Sequence, residues 1–166
     1  MEIDTNLVVL DVTTAWSIDG VAFLVAGLGF LAWSIAVRNP WGSLVAFAIE
    51  IAVALPVERV FSTLYRADRL KNASPLPAGA RQGSTLRYFL VCIFVVAVPV
   101  AVTAALAAAL SAPHYAGGWF AGLGVIRLTS VLRVRGMERR DRVEYHLPTG
   151  RSRPRGHVFY FTSPAF

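Results

Sequence analysis

The chain has 166 residues, of which 55% are hydrophobic and 16% charged, with a mean hydropathy of +0.55 and a formal net charge of +6. An ordinary soluble domain carries about 25% charged residues, so this composition is typical of a membrane protein rather than a soluble enzyme. The single cysteine, Cys92, excludes an internal disulfide and cysteine-rich metal sites. Long uncharged stretches alternate with arginine-rich segments, as expected when charges are costly in hydrocarbon.

A helix that crosses about 30 Å of hydrocarbon needs about 20 apolar residues. By this measure the sequence predicts an all-α membrane protein, a bundle of four transmembrane helices with a short cytoplasmic β-hairpin-like C-terminal tail. The predicted spans cover about 18–37, 41–57, 86–112 and 115–132. The fourth is the weakest because it is short, rich in glycine and contains Arg127, and a re-entrant or interfacial segment is the alternative there.

The predicted division of the chain is a transmembrane helical domain over 1–132 and a cytoplasmic basic tail over 133–166. Within the first domain, 58–85 is a cytoplasmic loop that begins as an amphipathic helix and continues as a turn-rich segment. In the tail, apolar residues alternate with polar ones over 142–147, and 157–162 contains a run of β-branched and aromatic residues. Both patterns predict strands, which we expect to form a hairpin. A lone hairpin is marginal in water, so it should dock on its own bundle, on lipid or on a partner.

The distribution of basic residues predicts the orientation in the membrane. Fourteen of the 16 lysines and arginines fall in 58–87 and in the tail, whereas Arg38 alone lies on the opposite side. The positive-inside rule then places both termini in the cytoplasm of a multi-pass protein of the cell membrane. Trp41, Tyr115 and Trp119 would anchor the outer interface.

Glu50 is the main candidate functional residue because it lies about 13 Å into the second span, near the middle of the membrane. Arg127 lies at a similar predicted depth in the fourth span, which runs in the same direction. The sequence therefore suggests an intramembrane charge pair of Glu50 and Arg127. The alternatives are a proton- or cation-carrying carboxylate at Glu50, or no contact between the two residues.

Small residues at helical spacing predict close helix packing. On the third span these are Ala97, Ala101 and Ala105, and on the fourth they are Gly118 and Gly122. Packing within the chain and docking on another subunit are both compatible with this pattern.

The tail is expected to contact anionic lipid headgroups or an acidic partner protein. The candidate contact residues are Arg133, Arg135, Arg139, Arg140, Phe159, Tyr160 and Phe161. No nucleic-acid-binding module is found. The three histidines have no partner at metal-ligand spacing, and neither a serine nucleophile motif nor a phosphate-binding loop occurs. We therefore expect no catalytic activity and no metal, and the sequence identifies no cofactor.

The leading functional hypothesis is a non-enzymatic accessory or scaffolding subunit of a larger membrane protein complex, or of a self-associated one. It rests on the small-residue faces and on cytoplasmic extensions too short to form a domain. The alternative is a small oligomeric proton- or cation-coupled transporter or channel that uses Glu50. The preference for arginine over lysine is typical of a GC-rich prokaryotic source.

Overall fold

The computed structural model describes residues 7–37, 40–109, 113–149 and 159–163. Within these ranges, the side chains of 40, 54, 57–69, 71 and 113–116 are not described. The fold is mostly helical, with four helices and five short strands over the described residues. The helices are α1 (Val12–Val37), α2 (Pro40–Lys71), α3 (Thr85–Ala109) and α4 (Pro113–Asp141). The strands are β1 (Val8–Asp11), β2 (Ser74–Pro75), β3 (Arg81–Gln82), β4 (Glu144–Pro148) and β5 (Tyr160–Thr162).

The helix ends follow from the local sequence. Asp11 caps α1, since its Oδ2 accepts hydrogen bonds from the Thr13 hydroxyl at 2.6 Å and the Thr14 N–H at 2.7 Å. Both α2 and α4 begin at a proline, which suits the first turn because it needs no N–H donor there. At the other end of α4, Arg142 takes a left-handed conformation with φ of 53°. The chain then turns into β4, and the Val143 N–H donates to the Glu138 carbonyl.

Helix α4 lies at the centre of the bundle, antiparallel to α1 and packed on α2, while α3 packs chiefly on α1. Two glycines allow α1 and α4 to approach backbone to backbone. A Cβ added at Gly27 would lie 2.7 Å from the Gly117 carbonyl oxygen, and one added at Gly124 would lie 2.6 Å from the Leu24 nitrogen. This tight contact holds α1 and α4 together as the core of the bundle.

The five strands form one sheet in the order β2-β5-β4-β1-β3. The predicted hairpin is confirmed, since β4 pairs with β5 antiparallel with Tyr145 opposite Phe161. The sequence missed the other three strands. β1 pairs antiparallel with β4, while β3 and β2 add in parallel to β1 and β5. The N-terminal segment, the loop after α2 and the tail therefore share one sheet.

Both edge strands of this sheet come from one loop, and this curls the sheet. A flat five-stranded sheet would be about 19 Å wide. Residues 76–80 connect β2 to β3, and fully extended they would reach only about 20–22 Å. A turn, closed by the Ala80 N–H donating to the Pro77 carbonyl, shortens this reach. The two edges are thus drawn toward each other.

The sheet covers one end of the helix bundle. Its side chains join the helix ends in one buried cluster, in which Trp16 meets Phe159 edge to face with ring centroids 6.2 Å apart. The members of this cluster are Leu10, Val12, Ala15, Trp16, Leu70, Val131, Val134, Tyr145 and Phe159, with Tyr88 packed against it. All four helices thus contribute to the cluster on which the sheet packs. We call the five-stranded sheet the cap.

Several boundaries differ from the sequence prediction. The predicted division between 132 and 133 falls inside α4, which continues to Asp141, and the tail strands belong to the cap together with β1. Helix α2 continues through Pro56 to Lys71, and the amphipathic pattern predicted there falls on side chains outside the described set. Of the four predicted spans, two described helices are long and apolar enough to cross a membrane, α1 and α3. Helix α2 has a shorter apolar stretch, Trp41–Val53.

Candidate functional site

Glu50 lies at the contact between α2 and α4. Its side chain faces Gly118, and a Cβ added to that glycine would come within 2.6 Å of Oε2 of Glu50 and would also overlap the Glu50 Cβ. Oε2 is buried and has no hydrogen-bond partner among the described residues. Phe47, one turn earlier on α2, packs beside Gly117. The glycines of α4 thus create the space that this carboxyl group fills.

The predicted pair of Glu50 and Arg127 is not brought together. Arg127 lies nine residues beyond Gly118 on α4, which corresponds to about 13 Å along the helix axis. Its Cβ faces Gly20 of α1 instead. The prediction assumed that the second and fourth spans begin at the same depth, but Glu50 is the eleventh residue of α2 and meets Gly118, the sixth residue of α4.

A polar cluster that the sequence did not reveal joins α1 to α3. Asp19 accepts hydrogen bonds from the Tyr88 hydroxyl at 3.2 Å and from the Cys92 Sγ at 3.2 Å. The thiol is buried. In the sequence, Tyr88 and Cys92 are one helical turn apart and so share a face of α3. Because the sequence does not show which helix packs on that face, it could not identify Asp19 as the acceptor.

Arg127 reaches the same level of the bundle as this cluster. Phe120 stacks on both Phe23 and Phe30 of the antiparallel α1, and Arg127 follows Phe120 by two turns. Asp19 precedes Phe23 by one turn on the same side of α1. Asp19 of α1 and Arg127 of α4 therefore lie at the same level of the bundle, toward the cap and away from Glu50.

The small residues divide into two groups. Gly118 and Gly122 are buried, as predicted, and Gly118 packs against Glu50. The prediction of packing within the chain is wrong for Ala97, Ala101 and Ala105, which are all exposed on α3. The buried side of α3 instead carries Cys92, Val96 and Ala107. Alternation of alanine and valine along α3 gives no sequence signal that distinguishes these faces.

The basic and aromatic tail residues also separate. Arg133, Arg135, Arg139 and Arg140 are exposed along the last turns of α4. Phe159 is only 5% exposed and packs on Trp16, so its predicted contact with lipid or a partner is wrong. Tyr160 and Phe161 are half-buried in β5. Phe159 and Phe161 thus pack the cap against the helices of the same chain.

Exposed large apolar side chains are confined to the helices. They occur on 21–53, 86–106, 119 and 132, and among the described side chains none lies on 7–20, 70–85 or beyond 132. We call this surface the apolar belt. On α4 it is reduced to Trp119 and Leu132, because the surface between them is largely covered by α1 and α2.

Three carboxylates near the cap are engaged by neighbouring groups. Burial raises the pKa of Glu138, whose Oε1 accepts the Tyr145 N–H at 3.1 Å. Burial would also raise the pKa of Asp11, but the hydrogen bonds from Thr13 and Thr14 outweigh it and lower that pKa. Asp141 pairs with Arg140 at 2.8 Å on the surface, and the hydrogen bond from Arg140 lowers the pKa of Asp141.

Comparisons with protein-family models, curated proteins and solved structures return no match to this chain. Within the described part of the chain, no group of three or more histidine, cysteine or acidic side chains could hold a metal ion. The groups available for chemistry are a half-buried Glu50 with a buried Oε2, a hydrogen-bonded carboxylate and thiol at Asp19 and Cys92, and an arginine-rich surface beside the cap.

Proposed function

We propose that this chain is a polytopic membrane protein in which all four helices cross the bilayer, and that it serves as a non-enzymatic accessory or scaffolding subunit of a larger membrane assembly. The observation that carries the proposal is the separation of exposed apolar surface on the helices from buried apolar surface in the cap. Large apolar side chains exposed along three helices would favour aggregation in water.

The exposure of α1 and α3 favours lipid contact over a soluble core. Only 22% of the most apolar window of α1 and 11% of that of α3 are buried. The core helix of a soluble protein would bury most of such a window. Along the helix axes the apolar belt measures about 24 Å on α1 and about 30 Å on α3, which matches the hydrocarbon thickness.

The central position of α4 accounts for its low hydropathy. A helix surrounded by other helices needs small residues for packing rather than apolar residues for lipid. Its exposed large apolar side chains, Trp119 and Leu132, lie about 20 Å apart along the axis. Because Gly118 meets Glu50, the adjacent Trp119 lies at the level of Glu50, about 13 Å along α2 from Trp41, so these two tryptophans do not mark one interface.

The accessory role is supported by α3. This helix packs on the bundle along one side, and its remaining sides expose large apolar residues together with Ala97, Ala101 and Ala105. Small residues at four-residue spacing allow another helix to approach closely. A neighbouring subunit is therefore expected against α3.

The test is purification of the full chain from its native membrane into nanodiscs, followed by mass determination and identification of co-purified proteins. Stoichiometric membrane subunits that are lost on Ala101→Leu, but retained on Val102→Leu, would support docking through the alanine side of α3. A homogeneous protein without other subunits would contradict the accessory role, and recovery in the aqueous fraction would contradict membrane insertion.

A second candidate function is proton- or cation-coupled transport through Glu50. It is favoured by the buried Oε2 of Glu50, which has no partner among the described residues. Such a carboxyl group must gain and lose a proton or cation during turnover. Because a single four-helix unit encloses little space, transport would require an oligomer.

Proton flux into vesicles reconstituted with the purified chain tests this function. Flux that is abolished by Glu50→Gln and retained by Glu138→Gln, at equal protein incorporation, would support it. Vesicles with no flux above a protein-free control would contradict it.

A further inference from the structure

The apolar belt ends at arginine on two neighbouring helices. On α3, which begins beside the cap and runs away from it, the exposed Arg87 lies next to Leu86, the last exposed apolar residue on the cap side, which is 67% exposed. On α4, Leu132 is also 67% exposed and is followed by the exposed Arg133. On both helices an exposed arginine thus adjoins the last exposed apolar residue on the cap side.

The two transitions lie at the same level of the molecule. Tyr88, next to Arg87, packs against the buried cluster that contains Val131 and Val134, which flank Arg133. Exposed arginines continue toward the cap at 135 and 139 of α4. We refer to Arg87, Arg133, Arg135 and Arg139 as the collar.

Two acidic residues beside the collar have partners outside it, and Glu138 also attracts Arg135 of the collar. Glu138 accepts the backbone N–H of Tyr145, and Asp141 forms its ion pair with Arg140. The collar therefore presents net positive charge at the edge of an apolar surface. Arginine guanidinium groups match phosphate with paired N–H donors.

We propose that the collar is a binding surface for the phosphate groups of anionic lipids in the leaflet on the cap side. The inference rests on the proposed membrane insertion. It favours lipid over an acidic protein because the charge begins where the apolar belt stops, at the depth of headgroup phosphates. An acidic protein would be recognised equally well by arginines farther from the belt.

The test reconstitutes the full chain in nanodiscs of phosphatidylcholine with and without phosphatidylglycerol and measures retained lipids by native mass spectrometry. The parent should retain phosphatidylglycerol in excess of its bulk fraction. Each arginine near the surface contributes about five-fold in affinity, so Arg87→Gln with Arg133→Gln should reduce the excess by up to about 25-fold.

The control is Arg140→Gln with Asp141→Asn, which removes an exposed ion pair from the same helix without changing the net charge. It should retain phosphatidylglycerol as the parent does. Added salt should weaken the retention by the parent, because the collar is exposed.

The following results would overturn the inference. One is equal retention by the parent and the Arg87→Gln, Arg133→Gln variant, and another is displacement of the lipid by inorganic phosphate, which would assign a free-phosphate site. The third is an acidic protein bound to the collar in place of lipid. Failure of the parent to enter nanodiscs of either composition would overturn membrane insertion as well, whereas entry without enrichment overturns the lipid site alone.

Discussion

Glu50 of α2 and Gly118 of α4 occupy one contact, in which the missing side chain of the glycine leaves space for the carboxyl group. Gly118→Ala should therefore destabilise the protein by about 1–3 kcal/mol through overpacking. Glu50→Ala in the same chain should recover part of this loss because it removes the overlapping Oε2, although the overlapping Cβ of residue 50 stays. The free energy of unfolding in mixed micelles measures both effects, and strictly additive losses would show that the two residues do not share this space.

Gly27 and Gly29 offer a matched pair on α1. A Cβ at Gly27 would meet the backbone of α4, 2.7 Å from the Gly117 oxygen, whereas a Cβ at Gly29 would meet nothing within 4 Å. Gly27→Ala should cost about 1–3 kcal/mol or more, since backbone atoms cannot move aside locally. Gly29→Ala should be neutral or stabilising by up to about 1 kcal/mol. Equal unfolding free energies for the two variants would contradict the close α1–α4 contact.

The separation of Glu50 from Arg127 predicts independent effects. Glu50→Gln and Arg127→Gln should show a coupling energy below about 0.5 kcal/mol in a double-mutant cycle. The loss of one partner of a true buried pair would instead cost about 3–5 kcal/mol, with rescue by the second change. Folded yield and unfolding free energy of the four chains distinguish these outcomes, and rescue would restore the pairing inferred from sequence.

Asp19 holds α3 against α1 through Tyr88 and Cys92. Replacing it with alanine removes the acceptor and should loosen the cap-side end of α3. Cys92, which is 6% exposed, would then react faster with a membrane-permeable maleimide. Asp19→Asn keeps an acceptor oxygen and should give an intermediate rate. An unchanged rate in the alanine variant would mean that α3 is held by its apolar contacts alone.

Glu138 and Asp11 should affect the pH dependence of stability in opposite directions. The raised pKa of Glu138 means that its ionisation disfavours the folded state, so its contribution to stability falls as pH rises from 4.5 through the raised value. Glu138→Gln keeps an acceptor for Tyr145 and should remove this loss. The lowered pKa of Asp11 means that its contribution is present above 3.8 and is lost as pH falls below it.

Unfolding free energies of the parent and the two variants, measured from about pH 3 to about pH 8, test these signs. Asp11→Asn should weaken the protein most at neutral pH, whereas Glu138→Gln should be neutral or stabilising there. A variant curve that stays parallel to the parent over this range would exclude the corresponding residue as a source of the pH dependence.

Helix positions could be predicted from the sequence because apolar composition along the chain is a local property. The structure places helices over all four predicted segments, and the β4–β5 hairpin was visible from the strand pattern of the tail. Strands β2 and β3 have two residues each and depend on pairing with distant segments, so no local pattern marks them.

Contacts between helices could not be derived in the same way. The depth of Glu50 relative to Arg127 depends on where α2 and α4 start relative to each other, and an error of a few residues moves a side chain by several ångströms. The choice of Gly118 rather than the alanines of α3 as a packing position depends on which helix is central. Hydropathy alone ranked α4 as the weakest span, although its composition suits a helix enclosed by others.

The strand order also constrains how the protein is made. β1 emerges first from the ribosome, yet both of its neighbours in the sheet, β3 and β4, are synthesised after α2 or α4. The first strand must therefore wait unpaired while the helices are synthesised, and the cap closes only when the last strand is released. A prematurely terminated chain would expose the edges of β1 and the apolar side of Trp16, which gives proteases and chaperones a direct means to recognise incomplete copies.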